Sequence, residues 1–77
     1  MSDPVVIDAR GHRCPVPTLK LQKQMHATAG GESVILIADD PMAQIDVPHF
    51  CNQNQYRLQS VEPCGTGWRF LILRIRP

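Results

Sequence analysis

Val5-Val6-Ile7-Asp8-Ala9-Arg10-Gly11-His12-Arg13-Cys14-Pro15-Val16-Pro17-Thr18 changes character twice along its length. The apolar, β-branched run Val5-Val6-Ile7 ending at Asp8 reads as a buried first strand. The chain then turns through Gly11. Pro15 and Pro17 follow Cys14, and proline belongs in a first helical turn and nowhere deeper. A strand, a glycine turn and a helix therefore follow one another in that order, with Cys14 where the helix begins.

Reading outward, residues 18–29 are mostly good helix formers and predict the first helix. Its inner stripe is Leu21, Met25 and Thr28, and Gly30-Gly31 stops it. Ser33 to Ala38 is a second strand without polar alternation, hence central and covered on part of both faces. Asp40 caps a turn that holds Pro41, and Asp46 with Val47-Pro48 repeats the arrangement. A short first turn and then a helix to about Asn54 are expected, with Ala43, Val47, Phe50 and Cys51 on its inner face. Tyr56 to Val61 and Trp68 to Ile75 are two more strands, joined through the glycine-containing segment 63–67. The order is βαβαββ. Right-handed crossovers put both helices on one face, giving an α/β (α+β) two-layer sandwich. In the last strand Trp68, Phe70 and Ile72 point one way and Leu71, Leu73 and Ile75 the other. The second row has no helix over it. It is read either as a partner surface or as a homodimer contact or tail-covered face.

Composition limits what such a chain can do. With 77 residues, 43% hydrophobic and 19% charged, it is expected to be a single compact domain spanning residues 1–77. A formal net charge of +1 supplies no broad field for binding a phosphate backbone, so direct nucleic-acid binding is not expected. The start, Met1-Ser2-Asp3-Pro4, lacks the basic and apolar pattern of a secretory signal, and no run approaches the length of a membrane span. Cys14, Cys51 and Cys64 are dispersed and odd in number, which speaks for a reducing compartment, the cytoplasm.

Cys14 precedes a helix whose dipole and unpaired N–H groups favour a thiolate. Arg10, His12 and Arg13 add positive neighbours. The residue three places on is Pro17, where a dithiol redox site would carry a second cysteine. A resolving thiol beside a persulfide would expel its sulfur as a disulfide closes, whereas a lone thiol keeps it until a partner takes it. The plainer reading is a small semi-polar residue at the helix start.

Gly11-His12-Arg13-Cys14-Pro15-Val16-Pro17 resembles the Cys-Pro-x-Pro signature of the TusA/SirA-like sulfur carrier family. Asp39-Asp40-Pro41 and Asp46-Val47-Pro48-His49-Phe50-Cys51 are similar to that family's second signature, and the C-terminal aromatic-aliphatic strand also corresponds. The resemblance implies a mixed four-stranded sheet of order 1-2-4-3 in which only the fourth strand is antiparallel. It implies that Cys14 accepts a sulfane sulfur from a cysteine desulfurase or rhodanese-like donor and yields it to an acceptor protein. Destinations in the family include 2-thiouridine in tRNA, sulfur oxidation and molybdenum cofactor biosynthesis. The implied role is a sulfurtransferase-type carrier with a covalent intermediate and no substrate pocket of its own, needing no cofactor. Gly11, Pro15 and Pro17 support the motif.

Arg10, His12, Arg13, Lys20 and Lys23 are candidates for a basic rim that recognises an acidic patch on the donor, set against a merely solvated surface. Cys51 reads as core and Cys64 as an exposed, incidental turn residue. His12, His26 and His49 lack zinc-site spacing, so no metal is expected. Asp39 and Asp40 read as structural caps. The competing function is a non-enzymatic interaction or regulatory module, RNA-binding through the bare sheet face with Arg69, Arg74 and Arg76.

Overall fold

The computed structural model describes residues 4–13 and 15–75. Along the chain run β1 (Val5–Asp8), α1 (Val16–His26), β2 (Ser33–Ala38), α2 (Ala43–Gln53), β3 (Tyr56–Cys64) and β4 (Gly67–Arg74). The sheet order is β1-β2-β4-β3. β1 pairs parallel with β2, while β4 runs antiparallel to both β2 and β3. This is the βαβαββ sandwich with a mixed four-stranded sheet.

Burial alternates strictly along β2, although its sequence is apolar throughout. Val34, Leu36 and Ala38 are buried, whereas Ser33, Ile35 and Ile37 are only half-buried. The buried set joins Phe70 and Ile72 of β4, Leu21 and Met25 of α1, and Ala43, Val47, Phe50 and Cys51 of α2 in one core. Both helices therefore cover the same sheet face. On the other face the register aligns Val6, Ile35, Leu71 and Ser60 across the sheet, beside a row of Asp8, Ile37, Arg69 and Glu62. No described helix covers that face.

Four sequence expectations need correction. β1 was expected to be buried but forms one edge of the sheet, and Val5 and Val6 are 46% and 57% exposed. An apolar run this short does not distinguish an edge from a centre.

α1 ends at His26, short of residue 29. There Arg74 Nη1 donates to the Met25 carbonyl at 2.7 Å and to the Thr28 carbonyl. Carbonyls at a helix C-terminus lack intrahelical partners, and a cation suits the dipole there. Arg74 lies 49 residues from Met25, so local pattern could not reveal it.

Asp46 and Pro48 mark no second helix start, because both lie inside a continuous α2. Proline removes the N–H that the carbonyl four residues earlier would accept. That carbonyl belongs to Gln44, an exposed residue that water can reach.

Arg69 and Arg74 do not form a free basic face. Arg69 is paired with Glu62 at 2.9 Å, and Arg74 is turned onto α1. Arg76 lies outside the described residues.

The chain reverses between β3 and β4 through the two residues Gly65-Thr66. Gly65 has φ +59°, as the first position of a tight hairpin turn of this kind requires.

Candidate functional site at the start of the first helix

The two crossovers bring the starts of α1 and α2 to one end of the sheet, beyond the C-terminal ends of β1 and β2. Cys14 itself lies outside the described residues, and its neighbours on either side are described. After β1 the Ala9 N–H donates to the Ile37 carbonyl at 2.8 Å, prolonging the ladder by one residue. A turn follows in which the His12 N–H donates to the Ala9 carbonyl at 3.3 Å. Its third residue is Gly11, with φ +83°. L residues with side chains adopt that conformation only at a cost, so glycine belongs there.

Arg13 and Pro15, the residues bonded to Cys14, are both exposed. The Val16 N–H donates to the Arg13 carbonyl at 2.9 Å, closing a tight turn, and the Leu19 N–H donates to the Pro15 carbonyl at 2.9 Å, beginning the helix. Pro15 is the N-cap residue, and Pro17 is buried in the first turn. A first helical turn usually leaves about four N–H donors unpaired. In α1 two of those donors do not exist, because Pro15 and Pro17 lack them, and a third, on Val16, is already bonded. The expectation of several free amides is thereby corrected. What remains to favour an anion is mainly the helix dipole and nearby cations. One further feature of the turn is the Thr18 Oγ1, which is buried without a hydrogen-bond partner among the described residues.

An open cleft of about 550 Å³ lies here, lined by Gly11, His12, Arg13, Asp39, Asp40, Pro41 and Met42. It brings the two sequence signatures onto opposite walls. The two aspartates, both read from sequence as caps, have different tasks. Asp40 Oδ1 accepts the Met42 N–H at 3.0 Å and so caps the approach to α2. Asp39 Oδ1 accepts the Gly11 N–H at 3.0 Å, tying the end of β2 to the turn that leads to Cys14. Sequence reading missed this tie, because a bond spanning 28 residues leaves no local trace.

The structure divides the expected basic rim. Arg10, His12, Arg13, Lys20 and Lys23 are all exposed. Arg10, however, is held by Asp8 through Nη2 to Oδ2 at 2.8 Å and Nε to Oδ1 at 2.9 Å. That side-chain hydrogen bond lowers the Asp8 carboxyl to about 2, and the same bond raises Arg10 above its ordinary value. His12 and Arg13 stand at the cleft. Lys20 and Lys23 line a separate groove of about 400 Å³ with Ile7, Gln24 and Ala27.

Apolar side chains also surround the site. Val16, Leu19, Met42 and Ile45, in the opening turns of the two helices, are 37%, 55%, 47% and 63% exposed. They lie off the inner stripes, and that is the one sequence signal by which they could have been found. The other cysteines divide as expected in one case and not wholly in the other. Cys51 is buried and free, and burial pushes its thiol up to about 11. Cys64, expected in the turn and exposed, is instead the half-buried last residue of β3, also free.

Comparison with known proteins agrees with this arrangement. The sequence model of the family described as Sulfurtransferase TusA matches residues 5–74. The crystal structure of a SirA-like protein from Desulfitobacterium hafniense superposes with a TM-score of 0.82 at 19% sequence identity, over 94% of this chain and 99% of that one. At that identity the likeness shows the fold.

Proposed function

Because this chain belongs to the sulfurtransferase TusA family, we propose that it is a sulfur carrier that holds a sulfane sulfur as a persulfide on Cys14. The donor is a cysteine desulfurase or a rhodanese-like protein, and the acceptor is a protein of tRNA 2-thiouridine formation or another sulfur-transfer pathway. The Cys14 thiolate attacks the outer sulfur of the donor's cysteine persulfide. The donor's S–S bond breaks as the new one forms, leaving a thiolate on the donor and a persulfide on Cys14. The acceptor repeats the exchange in the other direction. No electrons are gained or lost overall, and no cofactor is called for. The chain acts as one cytoplasmic domain over residues 1–77. Among the described residues no helix is long and apolar enough to cross a membrane.

The observation that carries this reading is the setting of the Cys-Pro-x-Pro motif. Its exposed flanks, Arg13 and Pro15, stand at the mouth of α1 beside an open cleft. The exposed apolar groups Val16, Leu19, Met42 and Ile45 around that mouth suit a protein partner that covers them on docking. His12 and Arg13 serve as the cationic part of that surface at the cleft, and Arg10, Lys20 and Lys23, also exposed, extend the basic rim around it. A nucleic-acid role has less to stand on, because Arg69 and Arg74 are already engaged.

Incubation with a cysteine desulfurase and cysteine, followed by intact mass measurement, is expected to show a gain of about 32 Da per sulfur. Cys14→Ser is expected to abolish the gain. An undiminished gain in that variant would remove Cys14 as the carrier.

A further inference from the structure

Asp39 is the first residue after β2, and its side chain crosses to the other motif. Its Oδ1 accepts the Gly11 N–H at 3.0 Å. Gly11 occupies the left-handed position of the turn that leads into His12, Arg13 and Cys14, so the carboxylate grips that turn at its most sharply bent residue. Asp39 is in turn held from behind. A Cβ on Gly67 would lie 2.6 Å from the Asp39 Cα and 2.8 Å from its Cβ, and would also strike the Ala38 carbonyl oxygen. Only a glycine lets the start of β4 pack this closely, and the packing leaves Asp39 no room to retreat toward the hairpin. β4, the Asp39 carboxylate and the Gly11 amide thus form one continuous line of contact ending at the turn before Cys14. Asp40, one residue on, accepts the Met42 N–H through its Oδ1.

We propose that Asp39 is the positioning residue of the sulfur site: as a hydrogen-bond acceptor, backed by Gly67, it fixes the Gly11 turn in the setting from which Cys14 meets the sulfur of its protein donor. The inference rests on the carrier reading of Cys14. The required property is the acceptor oxygen and not the negative charge, which separates two substitutions. Asp39→Asn keeps an Oδ1 that accepts the Gly11 N–H, whereas Asp39→Ala has none.

The test combines hydrogen exchange at the Gly11 amide, persulfide loading of Cys14 from a cysteine desulfurase, and alkylation of Cys14 by iodoacetamide, in the wild type and both variants. All three are measured well below each protein's melting temperature. Asp39→Ala is expected to speed Gly11 exchange and to lower loading kcat/KM by about tenfold, since loss of placement at a reacting group costs rate on that order. Asp39→Asn is expected to stay within about twofold of wild type in both, because the hydrogen bond survives. Alkylation by the small reagent, which needs no docked geometry, should change by less than about twofold in either variant. Asn behaving like Ala would overturn the proposal in favour of a charge effect. Equal loading by all three proteins, or Gly11 exchange unmoved by Asp39→Ala, would overturn it outright. A wild type that takes up no sulfur would sink the carrier reading itself, a result distinct from each of the others.

Discussion

The two ends of the sheet are each closed by one side chain that reaches across the sequence to backbone groups, and the two closures differ in what surrounds them. At one end Arg74 donates to the Met25 and Thr28 carbonyls at the C-terminus of α1, against Met25 and Thr28 side chains that are themselves buried. At the other end Asp39 accepts the Gly11 N–H in a turn whose Arg10, Gly11 and His12 are exposed beside an open cleft. The first closure completes a helix. The second holds a loop that has no core of its own, at the end where the helices begin and apolar side chains remain in contact with water. The difference separates what stabilises the sandwich from what presents the motif, and substitutions at each end are expected to separate in the same way.

The largest effect is expected from Gly67→Ala. The added methyl group meets backbone atoms of Ala38 and Asp39, which cannot rotate away. Overpacking of this kind costs about 3 kcal/mol. Chemical denaturation should show the loss, and because Asp39 is displaced, the surviving folded protein should also load sulfur more slowly. Stability lowered with loading per folded molecule unaltered would detach Gly67 from the site.

Arg74→Ala comes next. It leaves the Met25 carbonyl of α1 and the Thr28 carbonyl just beyond it without their charged donor, at a cost of about 2 kcal/mol. Here loading per folded molecule should be unchanged, in contrast to Gly67→Ala. A slowed loading step in this variant would mean that the two ends are not independent.

The division also explains what could be read from sequence. The inner faces of both helices, Leu21 and Met25 on one and Ala43, Val47, Phe50 and Cys51 on the other, are buried as their spacing required, as is Thr28 just beyond the first, and β2 has the predicted bounds. Those features depend on local periodicity. The edge position of β1, the Arg74 closure and the Asp39–Gly11 bond depend on strand order and on contacts between distant residues, which periodicity does not encode. The turn and helix start around Cys14 were legible because two prolines and a glycine act on their own backbone, and the Cys-Pro-x-Pro motif by its resemblance to a family signature. The same two prolines also cancel donors at the helix start, a consequence readable from Pro15 and Pro17 alone but masked by the general rule for helix ends.

A smaller contrast lies between thiols. Burial holds the Cys51 thiol up at about 11, so in the native protein at pH 8 it should resist iodoacetamide while half-buried Cys64 reacts. After denaturation both should react at similar rates. Native-state labelling of Cys51 as fast as that of Cys64 would show that the α2 face opens readily.

The smallest effect concerns Asp8 and Arg10. Asp8 is depressed in the folded protein from 3.8 to about 2 by the Arg10 hydrogen bond. A depressed carboxyl contributes stability that is present above the unfolded value and is lost as pH falls through the folded one. The loss therefore falls between pH 4 and pH 2. Both groups are exposed, so the contribution is slight and salt-screened. Asp8→Asn should flatten the fall in melting temperature across that window, and an identical slope in wild type and variant would show the pair to be energetically silent.

The central claim concerns which sulfur atom carries the cargo, and trypsin places the three cysteines on separate peptides, residues 14–20, 24–57 and 58–69. After incubation with a cysteine desulfurase and cysteine, alkylation and digestion, peptide mass spectrometry should find the extra sulfur of about 32 Da on residues 14–20 and on neither of the others. Sulfur on the peptide of Cys64 or Cys51, with residues 14–20 unmodified, would contradict the account.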